Sequence, residues 1–99
     1  MALNLKIHRT GDGRKMVCVT DSDLLGKVFI EGQKQLDFSG SYYKGEEKPI
    51  DLIQKHIISS YLTTFSGKES IKLAHDMEVI DESHILIVQG IPQAQVLIG

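Results

Sequence analysis

The sequence contains no tryptophan, one cysteine and two prolines, and it has no long hydrophobic run. The single cysteine, Cys18, cannot form an internal disulfide, which favours a reducing compartment. It lies between Val17 and Val19, so we expect it to pack in the core as a small apolar residue. Apolar runs such as Ile85–Val88 are far shorter than the roughly 20 residues of a membrane span. Leu3 is followed at once by polar residues, so we expect no signal peptide and a cytoplasmic location.

The remaining composition is that of a folded protein. A chain of 99 residues is close to the usual size of one domain, and its 41% hydrophobic and 24% charged residues are ordinary for a globular protein. A disordered chain would contain fewer aliphatic residues and carry a larger net charge. We therefore expect residues 1–99 to form a single domain.

Charge is distributed unevenly along the chain, although the formal net charge is only −2. Residues 1–20 contain one acidic residue, Asp12, and a candidate basic patch that consists of Lys6, Arg9, Arg14 and Lys15. Acidic residues are concentrated later, between Asp76 and Glu82. Two solvated faces explain this pattern, and so does a basic hairpin that contacts a phosphate backbone.

The first half of the chain predicts two β-hairpins. Apolar residues alternate with polar ones at the start, which is the period of a half-buried strand, and turn residues follow at Thr10–Gly13. A capped single helical turn is predicted at Asp21–Gly26. The four predicted strands are Leu3–His8, Lys15–Thr20, Lys27–Ile30 and Lys34–Phe38. Residues 39–48 are predicted to form a loop.

The second half predicts two helices and a C-terminal strand. Pro49 suits the first position of a helix, and apolar residues then recur at steps of three and four up to Tyr61. Ser66–Glu69 matches a capping box and predicts a second helix that ends near Glu78. Beyond it, the predicted elements are a strand at His84–Gln89, a break at Gly90–Pro92 and a short strand at Val96–Ile98.

This order of elements, with strands first, then helices and finally a strand, predicts an α+β fold. The expected architecture is a mostly antiparallel sheet with two helices packed on one face. The sheet is expected to consist of the N-terminal hairpins and the C-terminal strand.

The spacings of familiar catalytic and metal sites are missing. The histidines have no metal-binding spacing, and one cysteine adds little to a zinc site. The G-x-S-x-G motif is absent, and Gly67-Lys68 lacks the other residues of a phosphate-binding loop. We therefore predict no metal and no other cofactor, and the sequence leans against an enzyme. The histidines in question are His8, His56, His75 and His84.

Two segments are the strongest candidates for binding. Tyr42–Lys44 places two aromatic rings and a cation on a loop, where they could stack on bases or cover a peptide. In Gly90–Gln95, backbone and side-chain amides could bind a ligand by hydrogen bonds. Alternatively, one tyrosine fills the edge of the core and the amides satisfy local backbone groups. The candidate binding residues are Tyr42, Tyr43, Lys44, Gly90, Pro92, Gln93 and Gln95.

Four short segments occur in a fixed order along the chain, namely Leu24–Lys27, Tyr42–Gly45, Gly67–Ala74 and Gly90–Gln95. Together they resemble a small archaeal family known only as a domain of unknown function, number four hundred and twenty-four. In that family the last segment usually has a histidine where this chain has Gln93. A catalytic role of that histidine would be lost here, whereas a binding role could remain. The resemblance implies an archaeal cytoplasmic protein, and it supplies no reaction, cofactor or substrate.

Three functions are compatible with these observations. The first is a non-enzymatic binding or adaptor domain for RNA or a ribonucleoprotein, with the basic hairpin and Tyr42–Lys44 on one face. The second is a small enzyme whose pocket gathers Gln93, Gln95 and His84 together with residues from the helices. The third is a protein–protein interaction module or self-associating subunit that docks through an exposed strand of the sheet. We expect no membrane as a partner.

Overall fold

Strands dominate residues 3–99, which are the residues that this computed structural model describes. In chain order the elements are β1 (Leu3–Arg9), β2 (Lys15–Asp21), a 3-10 helix (Ser22–Leu24), β3 (Val28–Glu31), β4 (Lys34–Asp37), β5 (Glu46–Glu47), α1 (Ile50–Ile58), β6 (Leu62–Ser66), α2 (Lys68–Asp76), a second 3-10 helix (Glu82–His84), β7 (Leu86–Val88) and β8 (Ile91–Leu97). Within these residues, no helix has the length and hydrophobicity needed to span a bilayer.

Six strands form one sheet in the order β5-β1-β2-β6-β8-β7, and β3 and β4 form a separate sheet of two strands. Neighbours in the large sheet are antiparallel except β2 and β6, which are parallel. Both α-helices pack on one face of this sheet. The predicted α+β fold, with a mostly antiparallel sheet and two helices on one face, is confirmed. The second predicted hairpin forms, but it lies outside the large sheet.

The central strand β6 is the main element that the sequence analysis missed. Its residues Thr63, Thr64 and Phe65 are β-branched or aromatic, which is typical of strands. A segment of 5 residues between two helices is too short to show a period, so tertiary packing decides its conformation. The parallel register places Thr20 of β2 opposite Ser66, and the two strands therefore end at the same edge of the sheet.

The main core lies between the large sheet and the two helices. Paired residues on neighbouring strands share a face, so Val19 lies beside Leu5 of β1 and Phe65 of β6. Ile53 and Ile57 of α1, which belong to the predicted apolar stripe, pack against them. Val19, Phe65 and both isoleucines are 0% exposed. Burying an aliphatic or aromatic side chain of this size contributes about 1.5–3 kcal/mol to stability.

A smaller core joins the β3–β4 hairpin to β7. It contains the buried residues Leu24, Leu36, Phe38 and Val88, with Tyr43 packed against them. The rings of Phe38 and Tyr43 meet edge to face with centroids 4.8 Å apart. This contact packs Tyr43, in the segment that follows β4, against the smaller core.

Helix α2 is capped by a residue distant in sequence. Asp21, at the end of β2, accepts hydrogen bonds from the N–H of Glu69 (3.0 Å) and from the N–H and hydroxyl of Ser70 (both 2.8 Å). The predicted capping box is wrong. Ser66 belongs to β6, and the N-cap residue is Gly67, which has no side chain that could accept a hydrogen bond. The prediction that Asp21 caps its own local turn is also wrong, because its side chain makes no bond to the 3-10 helix there.

The segment Gly90–Pro92 does not interrupt the sheet as predicted. Gln89 and Gly90, with φ of 50° and 78°, form the turn between β7 and β8, and β8 runs through Pro92. The Pro92 carbonyl accepts a hydrogen bond from the N–H of Gly67 (2.8 Å). The missing N–H of Pro92 therefore faces Gly67, just beyond the end of β6, where the loss of one ladder bond is tolerated.

Replacing Asp21 by alanine removes the three acceptor contacts at the start of α2. We expect D21A to lower the free energy of unfolding by roughly 2–4 kcal/mol, because buried donors lose a charged acceptor. Urea unfolding followed by circular dichroism measures this change. Asp23→Ala, which removes an exposed neighbouring carboxylate, is the matched control and should change stability by less than about 0.5 kcal/mol. Equal losses in the two variants would contradict the cap.

Candidate functional site

The face of the large sheet opposite the helices, which we call the polar face, carries three rows of side chains. Because paired residues share a face, each row takes one residue from each of β1, β2, β6 and β8. The covered row is Asn4, Thr20, Ser66 and Gln93; the middle row is Lys6, Cys18, Thr64 and Gln95; the outer row is His8, Met16, Leu62 and Leu97.

Residues 39–45, which we call the tyrosine loop, lie over the covered row. At one end of the row, the side-chain amide of Asn4 donates to the carbonyl of Tyr43 (2.7 Å). At the other end, Nε2 of Gln93 donates to the Tyr43 hydroxyl (3.2 Å) and to Oγ of Ser66 (2.9 Å). The structure therefore brings together Tyr43 and Gln93, which the sequence analysis identified in two separate segments.

The covered row has more hydrogen-bonding capacity than the fold uses. Thr20 is 0% exposed, and its Oγ1 has no hydrogen-bond partner within residues 3–99. Ser22, two residues further along the chain, is half-buried, and its Oγ atom is also enclosed and has no partner within the described residues. A buried hydroxyl without a partner costs about 1–3 kcal/mol, so packing alone does not account for polar residues at these positions.

Tyr42 forms the exposed border of the tyrosine loop. Its ring stacks on the ring of His8, with centroids 4.4 Å apart and planes inclined by 18°, and its carbonyl contacts a ring nitrogen of His8 at 2.7 Å. Partial burial raises the pKa of the Tyr42 hydroxyl, which stays neutral at pH 7. Tyr42 is nevertheless 47% exposed. A ring held on one side and open on the other offers a flat surface on which another ring can stack.

The polar face carries more basic groups than carboxylates, since Glu47 of β5 is paired with Asn4 at the edge of this face. Lys6 and His8 lie in its rows, Lys44 is exposed on the tyrosine loop, and none of the residues in the three rows is Asp or Glu. The acidic residues between Asp76 and Glu82 lie at the end of α2 and after it. One sign of charge therefore prevails on the polar face, although the whole chain is slightly acidic.

The structure divides the candidate basic patch between the two sides of the sheet. Lys6 lies on the polar face, whereas Arg9 and Lys15 are paired with each other on the helix side. Nζ of Lys15 lies 2.9 Å from Nδ1 of His56 and donates to Oγ of Ser59 (2.6 Å), at the end of α1. Burial and then the charges of nearby lysines lower the pKa of His56, so its neutral ring accepts from Lys15. Lys15 thus stabilises the C-terminus of α1.

Arg14 has a separate environment in the turn between β1 and β2. It pairs with Asp12 at 3.1 Å, and its guanidinium lies 4.3 Å from the centre of the Tyr61 ring. Of the four residues in the candidate basic patch, Lys6 shares a face with the tyrosine loop. The alternation of side chains along β1 separates it from Arg9.

Cys18 is buried in the middle row, between Lys6 and Thr64, as expected for a packed side chain. Burial raises the pKa of its thiol to about 11, and the charge of Lys6 opposes this rise. The thiol is therefore protonated at neutral pH and is a weak nucleophile.

The residues proposed for an enzymatic pocket line one shallow groove beside β8. The groove is bounded by His84, Leu86, Gln93, Ala94 and Gln95. The side-chain amide of Gln93 already donates to Tyr43 of the tyrosine loop and to Ser66 of the covered row. His84 lies 3.9 Å from Asp81, and their side chains are 75% and 67% exposed. His84, Gln93 and Gln95 are therefore close together as predicted, but no residue of α1 or α2 lines this groove. The side-chain amide of Gln93 is already used in hydrogen bonds within the fold.

Three residues of the covered row, Asn4, Thr20 and Ser66, were missed by the sequence analysis. Each of these residues occupies a polar position in its strand. Such positions indicate a common site only when the order and register of the strands are known. Once β6 is recognised as a strand, Ser66 falls between Thr20 and Gln93. Because β6 was not predicted from the sequence, the alignment of these polar residues could not be recognised.

Comparisons with known proteins find one matching family and a solved structure with the same fold. A family model described as "Protein of unknown function (DUF424)" matches residues 8–98. Among solved structures, the chain is similar to an uncharacterized conserved protein from Methanopyrus kandleri, with a TM-score of 0.77 and 24% sequence identity over 99% of this chain and 92% of that chain. No curated protein matches the chain. The structural likeness shows that the two proteins share a fold.

The raised pKa of Cys18 predicts a thiol that is inert in the folded protein. At pH 8 we expect an aromatic disulfide reagent to modify the native thiol at least about 100-fold more slowly than the urea-unfolded thiol, because a pKa near 11 leaves little thiolate. The rate should rise only as the pH approaches that value. Absorbance at successive pH values measures the reaction. Rapid modification of the native protein at pH 8 would contradict the burial of this residue.

Proposed function

Since the chain belongs to the DUF424 family of proteins of unknown function, we propose from its own geometry that it is a non-enzymatic domain that binds single-stranded RNA on the polar face. The observation that carries this proposal is the half-exposed Tyr42 ring, stacked on His8 at the border of a basic face. This arrangement supplies the two things that single-strand binding requires, an aromatic surface for a base and cations for the backbone.

The outer row supports base contacts. Met16 and Leu62 are half-buried and Leu97 is 67% exposed, so an apolar strip continues across the sheet from the His8–Tyr42 stack. Bases of a single strand have flat apolar faces that can cover such a strip, whereas the bases of a duplex are enclosed in its stack. Each base stacked on an aromatic side chain contributes about 1–3 kcal/mol.

The middle row and the tyrosine loop support contacts to polar groups. Lys6 and Lys44 can neutralise phosphates, and Glu47, a carboxylate on this face, lies at its β5 edge beside Asn4. Gln95 is exposed, and its side-chain amide is available to the polar edge of a base. A strand of RNA across this face therefore finds stacking, charge and hydrogen bonding within one surface.

Removal of the Tyr42 ring tests the stacking contact. We expect Y42A to weaken binding of a fluorescein-labelled oligouridine by at least about fivefold, and Y42F to stay within about twofold of the parent, because the ring makes the contact. Fluorescence anisotropy measures both affinities. Ile58→Ala removes a side chain of α1 that is 69% exposed and serves as the control. Unchanged binding by Y42A, or an equal loss in I58A, would overturn the proposal.

The salt dependence of RNA binding tests the charge contacts. We expect the affinity for oligouridine to fall steeply with salt, and Lys6→Gln and Lys44→Gln each to reduce the slope of log K against log salt by about 0.7. Lys55→Gln and Lys72→Gln, on the exposed surfaces of the helices, change the net charge equally and should leave the slope unaltered. Binding that is indifferent to ionic strength, or equal effects of all four substitutions, would contradict this role of the polar face.

A further inference from the structure

Strand β8 is longer than the strand that covers its outer side. β7 pairs with Ile91–Gln93 only, whereas β6 pairs with Gln93–Leu97 on the inner side. Along Ala94–Leu97, no strand in the described chain lies on the outer side. The large sheet therefore has an open edge next to β7.

The direction of the backbone bonds can be derived for this edge. The Pro92 carbonyl accepts from Gly67, and the N–H of Ile98 donates to the carbonyl of Tyr61, so these two residues direct their backbone groups towards β6. Backbone groups alternate in direction along an antiparallel strand. The N–H and C=O groups of Gln95 and Leu97 consequently point outward, into the open edge.

A groove runs along the helix side of this edge. It has a volume of about 290 Å³, and its lining includes the apolar side chains of Val79, Ile80 and Val96 together with Asp81. The shallow groove described above, which also includes Leu86 and Gln93, adjoins this one, and His84, Ala94 and Gln95 line both. An added strand would thus have a place for its side chains along this edge.

Charge distinguishes this edge from the polar face. Asp81 lines the groove, Glu82 follows it, and Glu78 precedes it by three residues. Oδ1 of Asp81 accepts from the N–H and hydroxyl of Ser83 (3.0 Å and 2.8 Å). The basic groups beside Asp81 and Glu82 are histidines, at 3.9 Å and 3.5 Å. No lysine or arginine of the described residues forms an ion pair with these carboxylates. The rim of the groove is therefore complementary to a cationic ligand.

We propose that the open edge of β8 binds an extended, basic peptide segment of a partner protein, which adds to the sheet as a strand beside Gln95 and Leu97. Backbone hydrogen bonds supply affinity, an aliphatic side chain enters the groove, and Lys or Arg reaches Asp81 and Glu82. A second copy of this chain is disfavoured because it would bring the same carboxylates to both sides of the contact. This site uses the backbone of Gln95 and Leu97, whose side chains belong to the RNA surface, and its test does not depend on RNA binding.

The test uses an acetylated peptide that alternates valine and lysine, titrated into the full chain and followed by calorimetry. We expect binding at least about tenfold tighter than that of the matching valine–glutamate peptide, since like charges oppose the latter. Gln95→Pro removes an outward N–H without removing a bond to β6, and it should weaken binding by at least about fivefold. Gln95→Ala keeps the N–H, loses the side chain and should stay within about twofold of the parent.

Leu97→Pro and Leu97→Ala form a second matched pair if Q95P does not fold. In the parent chain, the amide protons of Gln95 and Leu97 should become protected from hydrogen exchange when the valine–lysine peptide is added, which needs no variant. Equal binding of the two peptides, full binding by a folded proline variant, or unprotected amides would overturn the proposal. Light scattering that shows a dimer abolished by the proline variants would assign the edge to a second copy and would also overturn it.

Discussion

The carboxylate of Asp21 joins the parallel pair of central strands to the helix that follows them. It binds the start of α2 through Glu69 and Ser70, and it occupies the space into which a side chain on Gly67 would project. Gly67 has a φ of +105°, a conformation that favours glycine, so the turn from β6 into α2 depends on that residue and that carboxylate together. Since Ser66 precedes this turn, the alignment of the covered row depends on the same interaction.

Neighbouring residues of β2 serve opposite sides of the sheet. Asp21 faces the helices and completes the core side, whereas Thr20 faces the tyrosine loop and lies in the covered row. The same division holds in β8, where the Gln95 side chain lies on the polar face and its backbone lies at the open edge. One sheet therefore carries a basic face and an acidic edge close to each other. Their charges largely cancel in the net charge of −2, which does not indicate either surface.

Local patterns in the sequence predicted the elements whose periods are long enough to be seen. The alternation after Leu3 and the apolar stripe of α1 correspond to β1 and to the main core. The errors fall where distant residues decide the outcome: Asp21 caps α2 because β2 and β6 are parallel, and Pro92 stays in β8 because its missing donor faces the end of β6. The contact between Tyr43 and Gln93 joins residues 50 positions apart, and no local pattern reports it.

The connection between β2 and β6 spans residues 22–61 and includes the tyrosine loop. The pairing of β2 with β6 closes this long segment into a loop, and the entropy of loop closure is lost before the contacts between the two strands stabilise the chain. This pairing is therefore an entropically costly and slow step in folding. The N-terminal hairpin, whose contacts are local, can form without it. Tyr43 reaches Gln93 only after both β6 and β8 have joined the sheet. The order of assembly therefore makes the polar face one of the last surfaces to be completed, and a partly folded chain would expose the hairpin without its covering loop.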